Sequence, residues 1–402
     1  MKQALSTYFS GIGAKRLTAV ETDPKKSNQH EFNGINEFKA FFGASRRSFS
    51  GKFIYLSDDE DGTLIEEGTL TWYDARENHP TRTEFRLYYT PNSVISSASD
   101  GDLMIIGKTR DDEIAVIVAV DGSTAERQMK WLFGLEEVEN RYVVKNIVEQ
   151  DQELNFAGKQ VIETLGFEIE ETEPGYLEQI IGVFGETFPK TSDFSKFART
   201  TLSHDVSPIE EPDKTLIAWL EREELLFRTL EKHIVSKRLK EGFGEDGLDV
   251  DAFVKYSLSV QNRRKSRAGH SFENHLESIF TENEVMFSKG KNTERKNKPD
   301  FLFPNIEKYH DNKFDSGLLT MLGVKTTAKD RWRQVLSEAD RIERKHLITL
   351  QPAISTNQTI EMQEQNLQLV IPEPLKETYT AEQQPELMDL EEFLKLVKSR
   401  AI

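Results

Sequence analysis

Lys298-Pro299-Asp300-Phe301-Leu302-Phe303, followed twenty-odd residues later by Leu322-Gly323-Val324-Lys325, is the stretch on which the fold of the C-terminal half turns. Residues 299–303 and 318–324 are short apolar runs and read as strands. Residues 330–344 carry helical spacing, and residues 346–350 and 367–371 read as further strands. Strand, strand, helix and strand, then a further strand and a helix-rich tail, make a mixed sheet with flanking helices, an α+β or α/β arrangement. Asp300 opens the first strand and Lys325 closes the second. Phosphodiester hydrolysis with Mg²⁺ needs a carboxylate to hold the ion and a cation beside the scissile phosphate. A turn aspartate and a surface lysine account for the pair when it is taken alone.

A second carboxylate is expected two residues before the lysine, on the same strand face. Gly323 stands there and cannot ligate. If residues 330–344 form one helix, Arg331, Gln334 or Val335, and Glu338 share a stripe, so Glu338 supplies the missing carboxylate while Arg331 reaches toward DNA. An exposed helix with i, i+4 charge pairing explains the same residues. Upstream, Arg263-Arg264-Lys265-Ser266-Arg267-Ala268-Gly269-His270-Ser271-Phe272-Glu273 reads as a basic loop entering a helix. Arg263, Arg264 and Arg267 would then lie near a phosphate, with Glu273 as an outer ligand to the metal or its water. A charged helix entry with Ser271 as N-cap is the alternative.

Helical spacing also runs from residue 213, through Leu216, Trp219, Leu220, Leu225, Leu226, Leu230 and Ile234, to a stop at Gly242-Phe243-Gly244. Further helices are expected over 248–259 and from 271 through 280. Residues 1–150 are strand-like, with runs at 52–56, 68–73, 83–89, 103–106 and 115–120 separated by turn clusters, which suggests a barrel or sandwich. Gly11-Ile12-Gly13-Ala14-Lys15-Arg16 has the look of a phosphate loop, but no strand precedes it and no Gly-Lys-Ser/Thr follows. Arg76, Arg82 and Arg86 interleave with Trp72, Tyr73, Phe85, Tyr88 and Tyr89, as on a DNA-reading surface or on an ordinary half-buried strand. The expected domains are a β-barrel-like unit over 1–165, a linker over 166–185, and a catalytic unit over 186–402.

The chain has 402 residues, enough for two or three domains. It has no cysteine, which excludes disulfides and thiolate chemistry, and its eight histidines show no close metal-ligand spacing. The longest apolar run, residues 114–120, is too short to span a bilayer. The N-terminus lacks the apolar core of a secretory signal, so no membrane and a cytoplasmic location are expected. The net charge of −17 speaks against a nucleic-acid partner only as an average. Nine carboxylates face two lysines between 151 and 190, whereas residues 263–267, 289–298 and 325–333 are locally basic.

Asn262–Gly269, Asn297–Pro304, Tyr309-His310-Asp311 and Val324–Gln334 together resemble the catalytic domain of the EcoRII-like type II restriction endonucleases, a branch of the PD-(D/E)XK superfamily. The likeness covers roughly residues 185–395. It implies sequence-specific, Mg²⁺-dependent cleavage of both strands of double-stranded DNA, with a carboxylate from the following helix replacing the one missing beside the lysine. Carried onto this sequence, Asp300 and Glu338 hold metal, Lys325 orients the attacking water, Glu273 supports the site and Tyr309 lies near it. Lys329, Asp330 and Arg331 read bases: arginine can pair with guanine O6 and N7, and aspartate can accept from cytosine N4. A CCWGG-like site is the expected target, and the family includes homodimers; the N-terminal domain is expected to bind effector or target DNA and to be B3-like in fold, although no residue-level match to a B3-like barrel is found in residues 1–165. A modification-dependent endonuclease and a non-cleaving DNA-binding regulator remain as alternatives.

Overall fold

The computed structural model describes residues 3–22, 30–59, 62–149, 153–169, 175–202 and 205–400; the side chain of Asp330 lies outside what is described. The chain divides into two units, Met1–Ile169 with Pro352–Asn357, and Glu170–Gln351 with Gln358–Ile402.

The first unit is one curled eight-stranded sheet. Its strands are β1 (Phe9–Arg16), β2 (Glu31–Asn33), β3 (Arg47–Leu56), β4 (Thr63–Asp74), β5 (Phe85–Tyr89), β6 (Leu103–Thr109), β7 (Ile114–Ala119) and β8 (Val143–Asn146), in the spatial order β2-β5-β4-β3-β7-β6-β1-β8. β3 and β7 pair in parallel and the other pairs are antiparallel. Both faces are covered, which is why β6 and β7 are buried along their whole length. Phe9, Ile12, Ile105 and Ile117 pack on one side with the helices Thr124–Leu132 and Phe156–Thr164. Phe38, Phe42, Phe53, Trp72 and Leu87 pack on the other.

The glycine-rich run at 11–16 is therefore neither a loop nor a phosphate cradle but the body of β1. A Cβ on Gly11 would lie 2.1 Å from the Phe41 ring, and one on Gly13 would lie 2.2 Å from the Phe38 ring. The glycines let two aromatic rings lie directly on the strand. Arg76 and Arg86 are both bonded to Glu84, and Arg86 also to Glu31 at 2.7 Å. Arg82 is exposed.

The second unit is built on a five-stranded mixed sheet: β9 (Ser288–Lys289), β10 (Phe301–Phe303), β11 (Thr320–Lys325), β12 (Lys345–Thr349) and β13 (Leu367–Val370), in the order β13-β12-β11-β10-β9. β11, β12 and β13 are parallel, while β10 runs antiparallel to both its neighbours. Phe280 meets Phe301, Phe303 and Phe393 edge-on or tilted at 5.1 to 6.3 Å, joining two helices to this sheet.

Two helical expectations are corrected. The segment 263–269 is not a loop: one helix, Val250–Glu282, runs through it, capped by Asp249 and carrying Val260, Arg267, Ser271, Phe272, His275, Leu276, Ile279 and Phe280 as its buried residues. Ser271 is thus a buried mid-helix residue, not an N-cap. The basic run stays helical because the neighbouring helix Pro212–Glu241 answers it with acid: Arg264 bonds Glu231, and Arg267 bonds Glu223 and Glu224. Glu223, fully buried, also lies 2.9 Å from His275 Nε2. The N-terminal third of the same Val250–Glu282 helix exposes Val250, Phe253, Val254 and Leu258. Second, residues 330–344 are not one helix. A 3₁₀ turn, Lys329–Arg331, leads into a short helix, Trp332–Leu336, and Glu338 sits in the bend that follows. Among the described residues no helix is long and apolar enough to cross a membrane.

Candidate active site

Asp300 precedes β10 by one residue, and Lys325 is the last residue of the adjacent β11. The antiparallel register sets Phe301 opposite Leu322, which brings the start of β10 against the end of β11. Asp300 Oδ2 accepts the backbone N–H of Val324 at 2.6 Å and lies 3.2 Å from Lys325 Nζ. Both side chains are about one-fifth exposed, enough to meet a ligand from solvent.

Gly323 shows why the second carboxylate is not on the strand. A Cβ there would fall 2.8 Å from Val335 Cγ2 and 3.1 Å from Cγ1. The short helix Trp332–Leu336 is laid so closely on β11 that position 323 has no room for any side chain. The same helix delivers Glu338 just past its end. The Glu338 carboxyl is pushed up to about 7, first by burial and then by repulsion from Asp300, against the attraction of Lys325 and Lys345. Its Oε2 is buried and makes no hydrogen bond. Glu273, on the Val250–Glu282 helix, is raised by burial and by Asp300 as well, and lies 3.6 Å from Lys289 Nζ. Asp300 is thus coupled to two other carboxyls. Among the described residues no group of three or more His, Cys, Asp or Glu side chains is placed to hold a metal ion.

The remaining sequence candidates fall in different surroundings. Tyr309 is fully buried, and its hydroxyl donates to Glu294 (2.7 and 2.6 Å to the two oxygens), so it is not presented to a substrate. Arg264 and Arg267 are engaged by the carboxylates named above. Arg263 is exposed and stacks over the Phe188 ring at 4.0 Å. The Lys329 backbone N–H donates to Gln351 Oε1 at 3.2 Å, and Arg331 reaches Thr327 Oγ1 at 3.3 Å. The side chain of Asp330 lies outside the described residues.

Sequence reading missed Glu294 and Asn297, which bond the bend carrying Glu338: Asn297 Nδ2 donates to Ser337 O at 2.6 Å, and Glu294 Oε2 accepts the Asp340 N–H at 3.2 Å. The available signal was their place directly upstream of Lys298-Pro299-Asp300. A helical reading of 330–344 left no bend for them to hold.

Residues 227–394 match the family model described as EcoRII C terminal. The type II restriction enzyme EcoRII of Escherichia coli is 43% identical over 208 residues, which are 52% of this chain and 50% of that enzyme, so the match spans about half the length of this curated relative. Two solved structures are also similar: metal-depleted Ecl18kI in complex with uncleaved DNA (TM-score 0.46, 20% identity, 57% of this chain and 85% of that one) and the restriction endonuclease PspGI–substrate DNA complex (TM-score 0.44, 14% identity, 53% and 93%). Over residues 227–394, the chain is thus similar to the C-terminal region of the EcoRII-like restriction endonucleases.

Proposed function

We propose that this protein is a Mg²⁺-dependent endonuclease that cuts double-stranded DNA at a specific sequence. The observation that carries the reading is the Asp300–Lys325 contact at 3.2 Å, with Glu338 near enough to feel the Asp300 charge and one Glu338 oxygen buried and unbonded. Two carboxylates suit Mg²⁺, a hard cation that takes oxygen ligands and keeps several waters, so no third protein ligand is required. The raised Glu338 carboxyl fits as well, since a nearby divalent charge would draw its proton off.

Asp300 and Glu338 would hold the ion; when bound, it supplies Lewis-acid polarisation of the scissile phosphate. Lys325 orients the attacking water through its ammonium and offsets charge that builds on the phosphoryl oxygens. Val324 N–H fixes the Asp300 carboxylate, leaving its other oxygen for the site. Glu273 adds negative potential from the helix side. Lys329 and Arg331, at the entrance to the Trp332–Leu336 helix, and the exposed Arg263 are the proposed DNA contacts, with Asp330 and Arg331 reading a G:C pair of a CCWGG-like site. We assign DNA binding of a B3-like kind to the first unit. Each chain carries one such Asp300–Lys325 pair, so cutting both strands in one encounter calls for a homodimer.

The test is incubation of unmethylated and methylated plasmid with the protein and Mg²⁺, beside Asp300→Ala. Discrete fragments from unmethylated plasmid, abolished by the substitution, are expected. Fragments from methylated plasmid alone would instead identify a modification-dependent enzyme, and intact plasmid under every condition, with DNA still bound, would leave a regulator.

A further inference from the structure

Glu338 lies in a bend, so the helical ladder that would fix a side chain within a helix does not fix this one. Its N–H still reaches Val335 O at 3.2 Å, and Ile342 N–H reaches Ala339 O at 2.9 Å, but much of the remaining backbone polarity of the bend is met by side chains. Ser337 O accepts from Asn297 Nδ2. Ala339 O and Ile342 O accept from Lys345 Nζ at 3.5 and 2.7 Å. Asp340 N–H donates to Glu294, and Arg341 N–H donates to the Tyr309 hydroxyl at 3.3 Å. The Arg341 guanidinium returns the contact by donating to the carbonyls of Tyr309, Asp311 and Phe314. Ala339, next to Glu338, adopts φ +52° while almost fully buried, a conformation an alanine keeps only where its neighbours enforce it.

We infer that Glu294, Asn297 and Tyr309 are positioning residues: together they clamp the 337–342 bend so that the Glu338 carboxylate faces Asp300 and Lys325. The reasoning is geometric. Glu294 and Asn297 lie in the segment that runs straight into Asp300, three to six residues upstream of it. The two carboxylates of the site thus descend from one short stretch of chain, Asp300 by its covalent link and Glu338 by hydrogen bonds to it. Tyr309 ties the two together, since its hydroxyl donates a hydrogen bond to Glu294 and accepts the N–H of Arg341. Tyr309 is held protonated, by burial first and then by the Glu294 carboxylate, as a donor to that carboxylate must be.

This inference deepens the nuclease reading for its functional consequence, while the clamp itself is testable without cleavage. Tyr309→Phe keeps the buried ring and deletes only the bridging hydroxyl; Asn297→Ala deletes the tie to Ser337. Hydrogen–deuterium exchange of the full chain is expected to quicken at least fivefold for the amides of residues 338–342 in each variant, with β11 and β12 unchanged. Exchange within twofold of the parent over 338–342 in both variants overturns the clamp, whatever the cleavage data show. The functional arm is Mg²⁺ binding by calorimetry on the DNA-bound protein, together with cleavage at graded Mg²⁺. A five- to tenfold weaker Mg²⁺ affinity, with kcat recovered at saturating ion and metal-free DNA affinity within twofold of the parent, is expected. Faster exchange with unaltered Mg²⁺ binding would remove the positioning role. A parent protein that neither cleaves DNA nor loses Mg²⁺ binding on Asp300→Ala would sink the nuclease reading, with the exchange result still deciding the clamp.

Discussion

The close approach of Val335 to Gly323 gives the most quantitative test of how this site is built. Gly323→Ala places a methyl at 2.8 Å from Val335 Cγ2, well inside the ~3.5–4.0 Å at which carbon atoms rest. Both residues lie in the core of the second unit, with Val335 fully buried, so the overlap is relieved only by shifting the Trp332–Leu336 helix off β11. Such overpacking costs about 1–3 kcal/mol. Val335→Ala removes two buried methyl groups and leaves a void, for about 2–3 kcal/mol. The two changes compensate, because the new methyl enters the space the old ones vacate. The double variant is therefore expected to cost at least ~1 kcal/mol less than the two single variants together. Urea unfolding of the full chain, followed by pulse proteolysis and read on the fragment containing residues 320–349, measures each corner of the cycle. Additive costs, agreeing within ~0.3–0.5 kcal/mol, would refute the claim that steric exclusion by Val335 is what keeps position 323 a glycine.

Three further outcomes are expected. His346 is buried and its pKa is lowered to about 3 by burial and by the nearby Arg400 and Arg344. As pH falls the unfolded chain takes up this proton first, so the stability contributed by the neutral ring is complete above pH 6.5 and is lost between 6.5 and about 3, by up to ~4–5 kcal/mol at ~1.4 kcal/mol per pH unit; the stability difference between His346→Leu and parent, followed by thermal unfolding from pH 7 to 4, should shift in favour of the variant, and a flat difference contradicts the assignment. Asp213 accepts the N–H groups of Glu373, Leu390 and Glu391 at 2.9–3.0 Å, and Asp213→Ala, which leaves three backbone donors without their acceptor, the Leu390 N–H among them buried, should cost about 2–4 kcal/mol in the same pulse-proteolysis assay, against no more than ~1 kcal/mol if solvent can replace it. Finally, Arg331→Ala should relax sequence discrimination by ~1–3 kcal/mol in competition binding while leaving the salt dependence nearly intact, whereas Lys329→Ala should reduce the salt slope by about 1; the reverse pattern would exchange their roles.

The second unit was legible where local pattern and tertiary placement coincide. Phe301-Leu302-Phe303 and the run ending at Lys325 are strands because apolar β-formers stop at charged ends, and pairing those two ends is what brings Asp300 and Lys325 together. Arg263 to Arg267 misled because a run of cations before a glycine has the composition of a loop, and its acidic counterpart, Glu223, Glu224 and Glu231, is forty residues away in the sequence. Helical spacing points to Glu338, yet this residue stands on a bend, where the Asp300 charge reaches it; the spacing holds no information about Ala339 turning the chain. The clamp of Glu294, Asn297 and Tyr309 was invisible for the same reason, since it depends on backbone groups that a helix would have satisfied internally. In the first unit, Gly11 and Gly13 hid β1: a strand whose faces are filled by rings from another segment looks like a turn.

That first strand has a consequence for biogenesis. β1 pairs with β6 and β8, so residues 9–16 find their partners only after residues 103–109 and 143–146 have been made. At roughly 5–20 residues per second of translation, Phe9 and Ile12 emerge on the order of ten seconds before the strands that shelter them. The nascent chain must pass through that interval with a half-made sheet, its apolar first strand exposed and prone to aggregation.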